Sequence, residues 1–186
     1  MAAAPARRRA TYPELAALPD NVVGEIINGD LHASPRPASL HSRATTELSA
    51  ELTLPFGRGR GGPGGWVILV EPELHLGEDV LVPDLAAWRR ERMPELPETP
   101  AFTLAPDWVC EVLSPSTAAF DRSQKMPVYG AAGVSHAWLV DPVIKTLEVY
   151  RLAQPGWVLV GAFTAPRVRA EPFEAVELEL QTLWAR

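Results

Sequence analysis

Cysteine occurs once in the 186 residues, which excludes an internal disulfide and a cysteine-rich zinc cage. Lysine is nearly as scarce. Of the 17 basic residues only Lys125 and Lys145 are lysine, and the rest are arginine. A chain that uses arginine for generic positive charge marks its lysines as candidates for a lysine-specific task. No uncharged apolar run approaches the roughly 20 residues that cross a bilayer, so no membrane partner is expected. Residues 1–10, MAAAPARRRA, lack the apolar stretch of a secretory signal. They read as a disordered tail ahead of a single domain over 11–186, and the cytoplasm is the expected compartment. Positive charge is not in excess: a net charge of −6 argues against a basic nucleic-acid coat but leaves room for a local basic groove.

What the chain does have is turn chemistry and apolar runs. Nineteen prolines and 13 glycines predict many turns and few long helices. With 47% hydrophobic and 22% charged residues, the composition is that of a folded globular domain. Thr11 caps a short helix expected over 11–20. Alternation in VVGEII, followed by Asn28-Gly29, predicts a β-hairpin over 22–34. Ala44, Leu48 and Leu52 recur at four-residue spacing and predict a helix over 39–54, stopped by Pro55. The glycine-rich stretch 57–65 lacks the Lys-Ser/Thr ending of a phosphate loop and reads as a solvated loop, although its two arginines could touch a phosphate.

Strands are expected over 66–76, 80–88, 107–113, 136–141, 145–152 and 157–163. A helix over 114–133 should be kinked by Pro127, or have its last turn split off there, and stop near Gly130 and Gly133. The tail 171–184 should end in a short helix or strand. This order predicts an α/β (mixed α+β) domain with a central mixed sheet, helices on both faces and an N-terminal hairpin.

Two carboxylates sit inside apolar strands: Asp84 in VLVPDLAAW and Glu111 in WVCEVL. A buried carboxylate is costly unless it is paired or holds a cation. Two on neighbouring strands repel, and a divalent ion relieves both. All-oxygen ligands suit Mg2+ or Mn2+. The alternative for each is a solvated strand end or a cap on the next turn. Asp121, Lys125 and Tyr129 fall on one face of the following helix, so Lys125 could swing over the end of the Glu111 strand, or merely pair with Asp121. Glu71 and Glu73 share one strand face and could approach Asp84, with an exposed edge as the simpler reading. His41 could contact a phosphate or be a surface residue. Cys110 should be buried and inert. Ser114 and Ser116 are expected to cap the helix. Trp88, beside Arg89-Arg90, could stack on a base or sit in the core.

In order, GEIINGDL with His41 downstream, VPDLAAW, DWVCEVLSPST and DRSQKMPVYGAAGVSHAWLVDP resemble the Uma-type family, within the PD-(D/E)XK superfamily of restriction-endonuclease-like nucleases. The resemblance spans roughly residues 10–165. It implies a restriction-endonuclease-like core and metal-dependent phosphodiester hydrolysis of nucleic acid, most plausibly DNA. Pro83-Asp84 matches the PD element, and Glu111 matches the acid of (D/E)XK. The usual lysine position is occupied by Leu113, and Lys125 is the matching residue, carried on the next helix. Glu25 matches an acid that such nucleases use as an extra metal or water contact. Asp84 and Glu111, with the Val112 carbonyl, are the expected metal ligands. Duplex cleavage by a chain with one site implies a homodimer, with 145–163 as the interface. A catalytically silent DNA-binding or protein-interaction domain, and a structural assembly protein, are the rival readings.

Overall fold

The computed structural model describes residues 8–184. The tail expected over 1–10 lies outside the described residues as far as residue 7. Beyond it, Arg8 pairs with Glu14, Arg9 pairs with Glu78 at 2.8 Å, and the Ala10 N–H donates to the Gly29 carbonyl.

A short helix α1 (Tyr12–Ala16) starts at Thr11, whose N–H and hydroxyl both donate to the Glu14 carboxylate at 2.8 Å. The hairpin follows as predicted, β1 (Val22–Ile27) against β2 (Asp30–Pro35). Its turn residues Asn28 and Gly29 both take positive φ, which suits the right-handed strand twist. Helix α2 (Ser39–Leu52) buries Ala44, Leu48 and Leu52. It does not stop at Pro55. One wider turn (Thr53–Gly57) carries Pro55 and Phe56 into the core, and the Arg58 N–H reaches back five residues to the Thr53 carbonyl. A proline has no N–H to lose, so the wider turn accommodates it.

The strands expected over 66–76 and 80–88 are each split in two. β3 (Trp66–Val70) and β4 (Glu73–Leu76) flank Glu71-Pro72, while β5 (Asp79–Leu81) and β6 (Leu85–Arg89) flank Val82-Pro83-Asp84. β3 pairs with β6, and β4 pairs with β5, so one long ribbon bends and passes from one sheet to another. Pro72 and Pro83 cannot donate to a ladder, and the bend falls at both. Glu71 takes φ 48°, and its N–H closes the bend on the Asp84 carbonyl at 3.1 Å.

The remaining elements are β7 (Ala101–Phe102), β8 (Trp108–Val112), β9 (His136–Asp141), β10 (Thr146–Ala153), β11 (Gly156–Phe163) and a terminal helix α5 (Leu180–Trp184). The larger sheet has the order β11-β10-β9-β8-β6-β3, and the smaller β2-β1-β5-β4-β7. The mixed sheet is therefore present, but the hairpin and the outer ribbon form a second one. β8 and β9 are parallel, which requires a crossover. That crossover is α3 (Ala118–Phe120), a wide turn (Asp121–Lys125) and α4 (Met126–Ala131). The Met126 N–H bonds to the Asp121 carbonyl, five residues back, immediately before Pro127. Here again the wider turn replaces the expected kink. Gly133, at φ 80°, ends the helix.

Side chains of the larger sheet alternate between two apolar layers. Leu85, Ala87, Cys110 and Val112 face α2 and α5, while Ala86, Trp88, Val109 and Leu113 face α4 and the smaller sheet. Trp88 is fully buried, its Nε1–H donating to the Leu104 carbonyl, so it sits in the core and offers no face to a base. Among the described residues no helix is long and apolar enough to cross a membrane.

Candidate active site

The bend of the ribbon, the end of β8 and the crossover helix enclose a cleft of about 240 Å³. Glu25, His41, Glu71, Asp84, Glu111 and Lys125 all line it. Alternation sets Glu111: Cys110 and Val112 face α2, so Glu111 faces the crossover helix, where Lys125 and Tyr129 await it.

Lys125 is the centre of the arrangement. Its Nζ lies 2.9 Å from Glu111 Oε1, 3.0 Å from Glu25 Oε1 and 3.3 Å from the Val82 carbonyl. The residue is 4% exposed. Glu25 and Glu111, rather than Asp121, are its ion-pair partners. Burial alone would pull this ammonium down; Glu111, then Glu25 and Asp121, outweigh it and hold the group raised and charged.

Each carboxylate is held on one oxygen. Glu111 Oε1 accepts from the Tyr129 hydroxyl at 2.5 Å as well as from Lys125. Glu25 Oε1 accepts from the Val82 N–H at 2.9 Å. Asp84 Oδ2 accepts from the Val112 N–H at 2.7 Å and lies 3.2 Å from His41 Nε2. Asp84 Oδ1 and Glu111 Oε2 meet no donor among the described residues. Burial, reinforced by the neighbouring carboxylates, pushes Glu111 well above the usual carboxylate range despite Lys125. Asp121, 5% exposed, is pushed up to about 6 by burial, with Asp84 and Glu25 adding to the rise and Lys125 opposing it.

The backbone contributes as well. β6 and β8 pair through Leu85↔Cys110, so the next inward-facing partner of Val112 would be Pro83. Pro83 has no N–H. The Val112 N–H is taken by the Asp84 side chain instead, and its carbonyl, on the same side of the strand, has no ladder donor at residue 83.

These donors fit a hard divalent cation. They are oxygens, two of them without protein donors, in a cleft whose carboxylates outnumber its one lysine. Among the described residues no three His, Cys, Asp or Glu side chains group as a metal cage, so two carboxylates and a backbone carbonyl are the protein oxygens that could hold an ion.

His41 is not a surface residue: its side chain is 13% exposed and contacts Asp84. The signal was in the sequence, since residues 41, 44, 48 and 52 share one helical face. Glu71 and Glu73 do not act together. Glu71 lines the cleft, whereas Glu73 accepts from Tyr12 and contacts His75. Ser114 and Thr117 cap one another reciprocally at the helix start, with Ser116 bonded to Ser114. Cys110 is buried, and its thiol is pushed well above its ordinary value by burial, as an inert core thiol should be. Arg89, the last residue of β6, and Arg92 just beyond it lie at the far end of that strand: Arg89 stacks over Trp66 and Arg92 pairs with Asp107.

A bent two-sheet α/β domain with an acidic, lysine-bearing cleft is the architecture of a nuclease-like protein. The chain matches the profile of the Uma2 family, described as "Putative restriction endonuclease", over residues 10–182, and belongs to that family. It is similar to the crystal structure of a putative nuclease belonging to DUF820 from Anabaena variabilis ATCC 29413, with 25% identity and a TM-score of 0.76, covering 94% of this chain and 97% of that one. No curated protein matched the chain.

Proposed function

We propose that this protein is a Mg2+- or Mn2+-dependent endonuclease that hydrolyses phosphodiester bonds in DNA. The observation that carries the reading is the buried Lys125 ammonium. It comes from a separate element yet sits between Glu111 and Glu25, in the cleft that Asp84 also lines. Asp84, Glu111 and the Val112 carbonyl would hold the ion. When bound, it neutralises charge on the scissile phosphate and makes a water easier to deprotonate. The chain's own groups do the rest. Lys125 orients the attacking water and screens the phosphate, exchanging its longest contact, the Val82 carbonyl, for the substrate. Glu25 keeps Lys125 in place. Water oxygen bonds to phosphorus and gives up its proton to solvent, one ester P–O bond breaks, and the leaving alkoxide takes a proton back from solvent. We further propose a homodimer along 145–163, which would bring two such sites to one duplex.

One observation favours a second reading. An ammonium has three N–H groups, and three protein acceptors lie within 3.3 Å of Lys125. In a catalytically silent DNA-binding domain Lys125 would be only a counter-ion. Nicking of supercoiled plasmid with Mg2+ or Mn2+, wild type beside Asp84→Ala, separates them. Metal-dependent nicking that Asp84→Ala abolishes supports the nuclease. Salt-sensitive DNA binding without nicking supports the silent domain.

A further inference from the structure

We propose that His41 is a positioning residue that decides which oxygen of Asp84 faces the metal, an inference that rests on reading Asp84 as a metal ligand. The torsion that turns a carboxylate about its last bond is broad, so an aspartate left alone presents either oxygen. Two donors from different elements remove that freedom here. The Val112 N–H of β8 and His41 Nε2 of α2 both meet Asp84 Oδ2, at 2.7 and 3.2 Å. Oδ1 is left for the cleft.

His41 is itself firmly held. It shares the buried face of α2 with Ala44 and Leu48, and the Thr45 hydroxyl bonds to its carbonyl. Its Nδ1 is buried and has no partner, so Asp84 is the imidazole's one polar side-chain contact among the described residues. An aliphatic residue would complete that helical stripe without stranding a polar atom. The imidazole therefore serves Asp84 rather than the packing.

The experiment measures Mn2+ binding to the full chain by the electron paramagnetic resonance signal of free Mn2+. Wild type is set beside His41→Leu, His41→Gln and Asp84→Asn, each checked for folding by thermal melting without metal. A glutamine amide nitrogen reaches about as far as Nε2 and restores the donor; leucine does not. His41→Leu should weaken Mn2+ binding by about 10- to 100-fold, as for other residues that orient metal ligands, and His41→Gln should stay within about threefold of wild type. Wild-type binding by His41→Leu, with binding lost in Asp84→Asn, overturns the proposal and leaves the metal site standing. Equal loss in the Leu and Gln variants overturns it too, because the donor would not be what matters. Wild-type binding by Asp84→Asn overturns the reading of Asp84 and this inference with it. Should His41→Leu fail to fold, His41→Asn takes its place: its amide is too short to reach Oδ2, and wild-type binding there overturns the proposal.

Discussion

Lys125 is the residue on which fold and chemistry meet. Removing one member of a buried, hydrogen-bonded charge cluster strands the others, at a cost of about 3–5 kcal/mol. Lys125→Ala should therefore destabilise the metal-free protein on that scale in urea unfolding, with Glu25 and Glu111 left facing each other. Added Mg2+ should recover part of the loss by supplying the missing positive charge. Asp121 gives a pH signature. Its carboxyl titrates at about 6 in the folded chain, above its ordinary 3.8, because it is buried. Between these values the folded state holds a proton that the unfolded state has released, so stability falls as pH rises through that window. Thermal melting in a chelator should show the decline across that interval, and Asp121→Asn should flatten it.

At the scale of elements, the bend at Pro72 and Pro83 makes the site. Pro83 ends the β6–β8 ladder one step before Val112 and leaves that carbonyl without a strand donor. Pro83→Ala supplies an N–H at that register. It should extend the ladder by one bond, weaken Mn2+ binding and slow nicking while changing the melting temperature little. A variant that binds Mn2+ as wild type would remove the Val112 carbonyl from the ligand set. The sequence carried much of this arrangement. Asn28-Gly29 announced the hairpin, and the acids in apolar strands announced the cleft. Three things were hidden. Apolar patterning, alternating across Glu71-Pro72 and continuous up to Val82-Pro83, does not break, so it cannot show that a strand changes sheets there. Proline chemistry also predicts a helix stop at 55 and a kink at 127, whereas a turn widened by one residue absorbs both. His41 was masked by its type: a polar residue at a helix start reads as solvated, although its spacing from Ala44 puts it inside.

For the whole molecule, the proposed homodimer would use β11. It is the edge strand of the larger sheet, and Val158, Leu159 and Val160 are 40–51% exposed. An apolar edge with unpaired backbone groups invites a second strand. Light scattering after size exclusion at micromolar concentration should give twice the chain mass, and Leu159→Glu, which sets a charge in the middle of that apolar edge, should return the monomer.

The scarcity of lysine has a practical outcome. The two ε-amines live in opposite settings: Lys145 is exposed on the turn before β10, and Lys125 is sealed beneath the cleft. An acylating reagent at mild pH should modify Lys145 at once and leave Lys125 untouched for as long as the cleft stays shut. The rate at which a label appears on Lys125, read by peptide mass, is thus a clock for opening of the site, built into the chain without any engineered probe.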